Sequence, residues 1–176
     1  MLVRRLNTIT GSFLVFFTTI LLTSCSKDEF KKVFPVSGQV LVDGQPAADC
    51  HVYLYRTFDD DHPHRVSPLA LTGPDGKFKV TSYITDDGAP DGEYIIGIEW
   101  KERSGIMGNN YDGADQLGGA YANKEANKTK PGFVINVGKE PLMLPPFELK
   151  MSPEAKKKND ERKAKKAQRP GIGGDK

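Results

Sequence analysis

The sequence predicts an all-β fold, a seven-stranded antiparallel β-sandwich, on three observations. Apolar and polar residues alternate at period two from Phe34 onward; the alternating segments are short; and Gly, Pro and Asp turns separate them with no convincing helix between. Period two sends successive side chains to opposite faces, so each strand has one face to bury, whereas helices between strands would signal a parallel sheet. Nothing repeats at a fixed period, which argues against a solenoid or propeller.

The strands follow in order. Val36, Val40 and Val42 share a face around Gly38, and the run ends at Asp43-Gly44, where both turn positions tolerate positive φ. After Gln45-Pro46-Ala47-Ala48, residues Cys50, Val52 and Leu54 point one way and His51, Tyr53 and Tyr55 the other, and this strand is expected to pair with the first. Leu69-Ala70-Leu71 and a strand from Lys77 to Tyr83, joined by Gly73-Pro74-Asp75-Gly76, make a second hairpin with Phe78 and Val80 inward. A turn cluster from Asp87 to Gly92 leads into a strand whose Tyr94, Ile96, Ile98 and Trp100 line one face. Tyr94 is placed to bury its ring while its hydroxyl bonds a turn carbonyl. Strands at 133–137 and 147–151 complete the set. The connection between Trp100 and Phe133, about thirty residues rich in Gly, Asn and Lys, is too long for an ordinary link and is read as functional or mobile.

The chain opens differently. Met1 to Asn7 carry Arg4 and Arg5 and no acid, and an apolar stretch from Phe13 to Leu22 follows, about ten residues long. A bilayer core of ~30 Å needs roughly twenty, so the pattern is a secretory signal rather than a span. It ends in Leu22-Thr23-Ser24-Cys25, which resembles the bacterial lipobox, so Cys25 is expected to be acylated and to become the mature N-terminus. Each buried methylene contributes ~0.8 kcal/mol, and two or three acyl chains hold a protein persistently at a membrane. The expected organisation is a lipoprotein signal peptide over 1–24, a polar tether over 25–33, the sandwich over 34–151 and a basic tail over 152–176. The expected location is the cell envelope, lipid-anchored at the periplasmic face or outer membrane.

About 150 residues remain after the leader, enough for one core. The net charge of +2 conceals an asymmetry: residues 25–149 hold 13 Lys and Arg against 19 Asp and Glu, while residues 150–176 hold 10 against 4. The tail begins with Ser152 as a helix cap and Pro153 at the first helical position. It has no apolar stripe to bury, so it is expected to be disordered or marginally helical, and solvated. Its Lys156, Lys157, Lys158, Arg162, Lys163, Lys165 and Lys166 are candidate contacts to anionic envelope polymer or lipid. Nucleic acid is not an expected partner of an exported protein.

The sharpest candidate for chemistry is the loop holding Asp59, Asp61, His62 and His64, since carboxylates suit calcium and imidazoles suit zinc. No third histidine or cysteine lies nearby in sequence, so a solvated loop is the main expectation and no cofactor is assigned. The segment Asn109 to Asp115 has the composition of a calcium loop without its ordered ligand positions. Cys50 and His51, adjacent on a strand, diverge, and Cys50 is expected in the core; with Cys25 acylated it has no disulfide partner. Tyr53 and Tyr55 are read as covering the outer face of an edge strand; an open face would instead offer a sugar-stacking platform. No Ser-His-Asp set, phosphate loop or metalloprotease motif occurs. The expected function is therefore a non-catalytic lipid-anchored envelope protein, a binding or structural module. The alternative is a metal-dependent or carbohydrate-processing accessory enzyme using the 59–64 loop.

The order of Val36-x-Gly38-x-Val40 with Asp43-Gly44-Gln45-Pro46, then Thr72 to Phe78, then Gly92-Glu93-Tyr94 entering an apolar strand, resembles the carboxypeptidase regulatory-like, or transthyretin-like, β-sandwich. It is similar to small lipoproteins of this type abundant in planctomycete-like bacteria. The resemblance spans about 34–150 and includes Tyr121 and Phe147-Glu148-Leu149. It implies a fold and a location, not an activity. The hydroxyisourate-hydrolysing branch of this fold ends in Tyr-Arg-Gly-Ser, whereas this sequence ends in Gly173-Gly174-Asp175-Lys176, so that activity is not expected.

Overall fold

A computed structural model describes residues 30–59, 64–103, 110–111 and 113–168, and the chain there is mostly β. The strands are β1 (Val33–Phe34), β2 (Val36–Val42), β3 (Gln45–Pro46), β4 (His51–Arg56), β5 (Leu69–Leu71), β6 (Lys77–Lys79), β7 (Ala89–Pro90), β8 (Gly92–Glu99), β9 (Val134–Val137), β10 (Leu142–Met143) and β11 (Phe147–Leu149). Two helices join them, α1 (Lys124–Asn127) and α2 (Pro153–Ala167). Among the described residues there are thus eleven short strands where the sequence suggests seven, because ladders break at Pro35, at Pro145-Pro146 and at tight turns.

The strands form three sheets. One is the pair β1–β7; a second has β2 at its centre with β3, β6, β10 and β11 around it; the third has the order β5-β4-β8-β9. The second sheet is mixed rather than wholly antiparallel, since β10 and β11 run parallel to β2 in the registers Leu142↔Val36 and Phe147↔Val40.

The expected pairing of the first two long strands does not form. Asp43 and Gly44, at φ 50° and 79°, close the hairpin as read, but its return arm is only β3. Pro46 lacks the N–H that would extend a ladder, and Asp49 at φ 63° turns the chain away. β4 then joins the other sheet, between β5 and β8. The second hairpin is also divided: its turn is closed by Gly73 N–H to Lys77 O at 2.8 Å, yet β5 pairs with β4 while β6 pairs with β2. It carries the chain from one sheet to the other.

One core lies between the two larger sheets. Val36, Val40, Val42, Phe78, Phe147 and Leu149 from the sheet around β2 are buried with Val52, Leu54, Tyr94, Ile96, Ile98, Ile135 and Val137 from the sheet around β4. Cys50 is fully buried in this core, where burial pushes its thiol up to about 12 and keeps it protonated as a packing residue. Tyr94 is fully buried and its hydroxyl donates to Pro90 O at 2.9 Å, as its position in the sequence suggests. The first part of the tether is not described, but its end is structured: Val33 pairs with Pro90.

Candidate functional site

The outward face of β4 carries the most distinctive surface. His51, Tyr53 and Tyr55 alternate with the buried Val52 and Leu54, so period two aims all three rings away from the core. They are half-buried and nearly parallel: His51 and Tyr53 centroids lie 6.0 Å apart at 14°, Tyr53 and Tyr55 6.0 Å apart at 23°. β4 is interior to its sheet, which corrects the edge-strand reading of these tyrosines. On one side Leu71 and Leu69 stand opposite His51 and Tyr53; both are more than 40% exposed, at 42% and 44%. On the other side Gly97 stands opposite Tyr53, and a Cβ there would meet Tyr55 Cε2 at 2.5 Å. The glycine is what lets Tyr55 lie across β8.

Two groups that the sequence reading missed frame the row. Glu99, opposite His51, pairs with Lys101 at 2.9 Å. Tyr111 meets His51 edge-on at 4.9 Å, and its hydroxyl donates to Asp49 Oδ1 at 3.2 Å. Arg103 reaches the same carboxylate at 2.6 Å and lies over the Tyr111 ring at 5.3 Å, so the long connection is pinned to the end of the aromatic row. Burial, and then the Glu99 carboxylate, hold both tyrosine hydroxyls above the usual phenol range. Burial, and then the Lys101 ammonium, hold His51 below the usual imidazole range. At neutral pH the row is therefore uncharged, with one ion pair at its border. The Nδ1 of His51 is buried with no hydrogen-bond partner among the described residues. The glycine inside β8 is the sequence signal for this surface; nothing in the sequence marks Glu99 or Tyr111.

The rest of the connection is built onto β8. Asp115 accepts from Trp100 N at 2.8 Å, Leu117 N at 3.1 Å and Gly119 N at 2.7 Å, which commits its oxygens to the backbone. Asn127 is fully buried and donates to Ile96 O at 2.9 Å and Tyr121 O at 2.8 Å, anchoring α1 on that strand. Of the calcium-like segment, Asn109 and Asp112 lie outside the described residues.

Of the loop proposed for metal, Asp61 and His62 lie outside the described residues. The other two are placed: Asp59 lines a shallow cavity beside Tyr55 and Arg65, and the ring of His64 packs 5.0 Å from Phe30. Among the described residues no group of three or more potential ligands converges. Cys25 and the signal peptide also lie outside the described residues, and no helix within them is long and apolar enough to cross a membrane.

The basic segment is a helix with one face docked, which corrects the expectation that it is solvated all round. Ser152 Oγ caps it, accepting from Ala155 N at 3.1 Å. Ala155 and Asn159, four residues apart and so on one face, are buried. Asn159 donates to Gln116 O at 3.0 Å and accepts from Arg162, which also approaches Glu102 at 3.5 Å. Lys156 pairs with Asp43 at 2.9 Å and holds that carboxyl below its ordinary range. Two of the seven candidate contacts are thus committed within the chain, while Lys157, Lys158, Lys163 and Lys165 are exposed. The side chain of Lys166 lies outside the described residues.

No family model matches the chain, and no curated protein does. Three solved chains match. One is a DUF3823 family protein from Parabacteroides merdae, 15% identical, with 70% of this chain and 48% of that one covered at a TM-score of 0.31. The chain spans about half the length of that protein. By its own geometry it is a mostly-β protein with two sheets on one core, an aromatic outer face and a docked basic helix.

Proposed function

We propose that the chain is a non-catalytic, lipid-anchored binding module of the cell envelope. Acylated Cys25 holds a carboxypeptidase regulatory-like, or transthyretin-like, β-sandwich at the membrane, and the tyrosine face of β4 receives a neutral glycan. The two sheets on one core and the corner bond of Tyr94 support the sandwich reading. The leader ending in Leu22-Thr23-Ser24-Cys25 supports the anchor.

The observation that carries the binding role is the uncharged row of His51, Tyr53 and Tyr55 on a strand interior to its sheet. Sugar rings present C–H faces that stack on aromatic rings and hydroxyls that bond polar groups at the edge, here the tyrosine hydroxyls, Glu99 and Lys101. Lys157, Lys158 and Lys165 add a screened attraction to anionic polymer carrying such glycans.

Affinity electrophoresis in gels containing purified envelope polysaccharide or peptidoglycan fragments tests this. Wild-type protein is expected to be retarded, and Tyr53→Ala with Tyr55→Ala to lose at least tenfold in affinity with an unchanged circular dichroism spectrum. Failure of the wild type to bind any of these glycans, or undiminished binding by the double variant, would overturn the proposal.

A further inference from the structure

The described chain begins at Phe30, which packs on a turn of unusual construction. Asp87 accepts three backbone N–H groups in that turn, from Ser82 at 2.7 Å, Tyr83 at 3.0 Å and Ile84 at 2.9 Å. Asp86 N donates to Thr81 Oγ1 at 3.0 Å, and Ser82 Oγ to Gly88 O at 2.6 Å. Gly88, at φ 101°, closes against β1 so tightly that a Cβ would lie 1.9 Å from Phe34 O. The turn is held on every side.

At its tip this rigid turn displays Ile84, which is 73% exposed. Beside it Phe30 is 64% exposed, with its ring 4.7 Å from Tyr83 and 5.0 Å from His64. The fold gains little from either side chain, since water covers most of both. Lys31 and Lys32 follow Phe30 directly, and Lys79 reaches Asp86 at 3.6 Å on the flank of the turn.

The position of the tip says what it meets. Five residue steps separate Phe30 from Cys25, a reach of at most about 18 Å even when fully extended. Acyl chains on Cys25 would therefore hold Phe30 within that distance of the acylated sulfur, with Ile84 next in sequence to the Tyr83 ring on which Phe30 packs.

We propose that Phe30 and Ile84 form a membrane-contact tip that enters the boundary between headgroups and acyl chains, with Lys31 and Lys32 beside anionic headgroups. The turn sets the domain's orientation on the bilayer, and the face of β4 is presented by a body held in one pose. This rests on the lipid-anchor reading for the direction of approach, while the tip itself is an independent surface feature.

Native protein reconstituted in vesicles of phosphatidylethanolamine and phosphatidylglycerol provides the test. An environment-sensitive fluorophore is placed at Ile84→Cys or, as a control, at the exposed Gln45→Cys, which pairs with Val42 at the far end of β2, with the labelled site confirmed by peptide mass; Cys50 is buried and stays unlabelled. The probe at 84 is expected to be quenched by spin-labelled lipid at least threefold more than the probe at 45, and Phe30→Ser to reduce that difference. Equal quenching at the two sites in protein whose intact mass shows acylated Cys25 would overturn the tip and leave the anchor standing. Selective quenching at 84 in protein with an unmodified Cys25 would support the tip and remove the anchor.

Discussion

Asp87 shows how much one side chain can organise. Burial alone would raise its carboxyl, but the N–H groups of Ser82, Ile84 and Tyr83 outweigh that and hold it below its ordinary value of 3.8. A carboxylate with a depressed folded value stabilises the fold above its unfolded value, and that contribution is lost as pH falls through the folded one. The turn is therefore expected to loosen only in acid, below the ordinary carboxylate value of 3.8, with the amide resonances of Ser82, Tyr83 and Ile84 moving together. Asp87→Asn should abolish that transition, and its persistence in the variant would contradict the assignment. Asp115 has a similar structural part in the long connection, where its three backbone partners tie the segment to β8. In sequence Asp87 belongs to a turn cluster and Asp115 to a segment of calcium-loop composition, and their commitment to the backbone shows only in the fold.

At the scale of elements, α2 depends on docking. A basic helix of this length is marginal alone, and its buried contacts are a small alanine and an asparagine. Asn159→Ala removes the bond to Gln116 O and is expected to cost about 1 kcal/mol of docking. Hydrogen exchange should then show protection falling across 153–167 while the sheets keep theirs; unchanged protection would contradict the docked face. This also marks what sequence can disclose. Alternation located β2, β4, β6, β8 and β9, and the Asp43-Gly44 and Gly73 to Gly76 turns were legible because their backbone geometry demands those residues. Alternation says which face a strand buries but not which neighbour it takes, so the placement of β4 against β8 and the parallel course of β10 and β11 were not legible. The docked face of α2 escaped because hydrophobic periodicity is blind to Ala155, Asn159 and Arg162. Tyr53 and Tyr55 were visible as outward aromatics; that their strand lies inside its sheet, and that Tyr111 closes the row from some sixty residues away, required the tertiary structure.

For the whole molecule, the proposed contacts fall on two separate surfaces. Phe30 packs by the turn around Ile84, the proposed membrane contact, while the face of β4 carries the stacked rings of the proposed glycan contact. The Cys50 thiol in the core is held protonated by burial. In the proposed reading the acyl anchor is what orients both surfaces. The most direct measurement is the intact mass of the protein isolated from its native membrane. The expected species begins at Cys25 and carries two or three acyl chains; a species that retains residues 1–24 with an unmodified Cys25 would contradict the account.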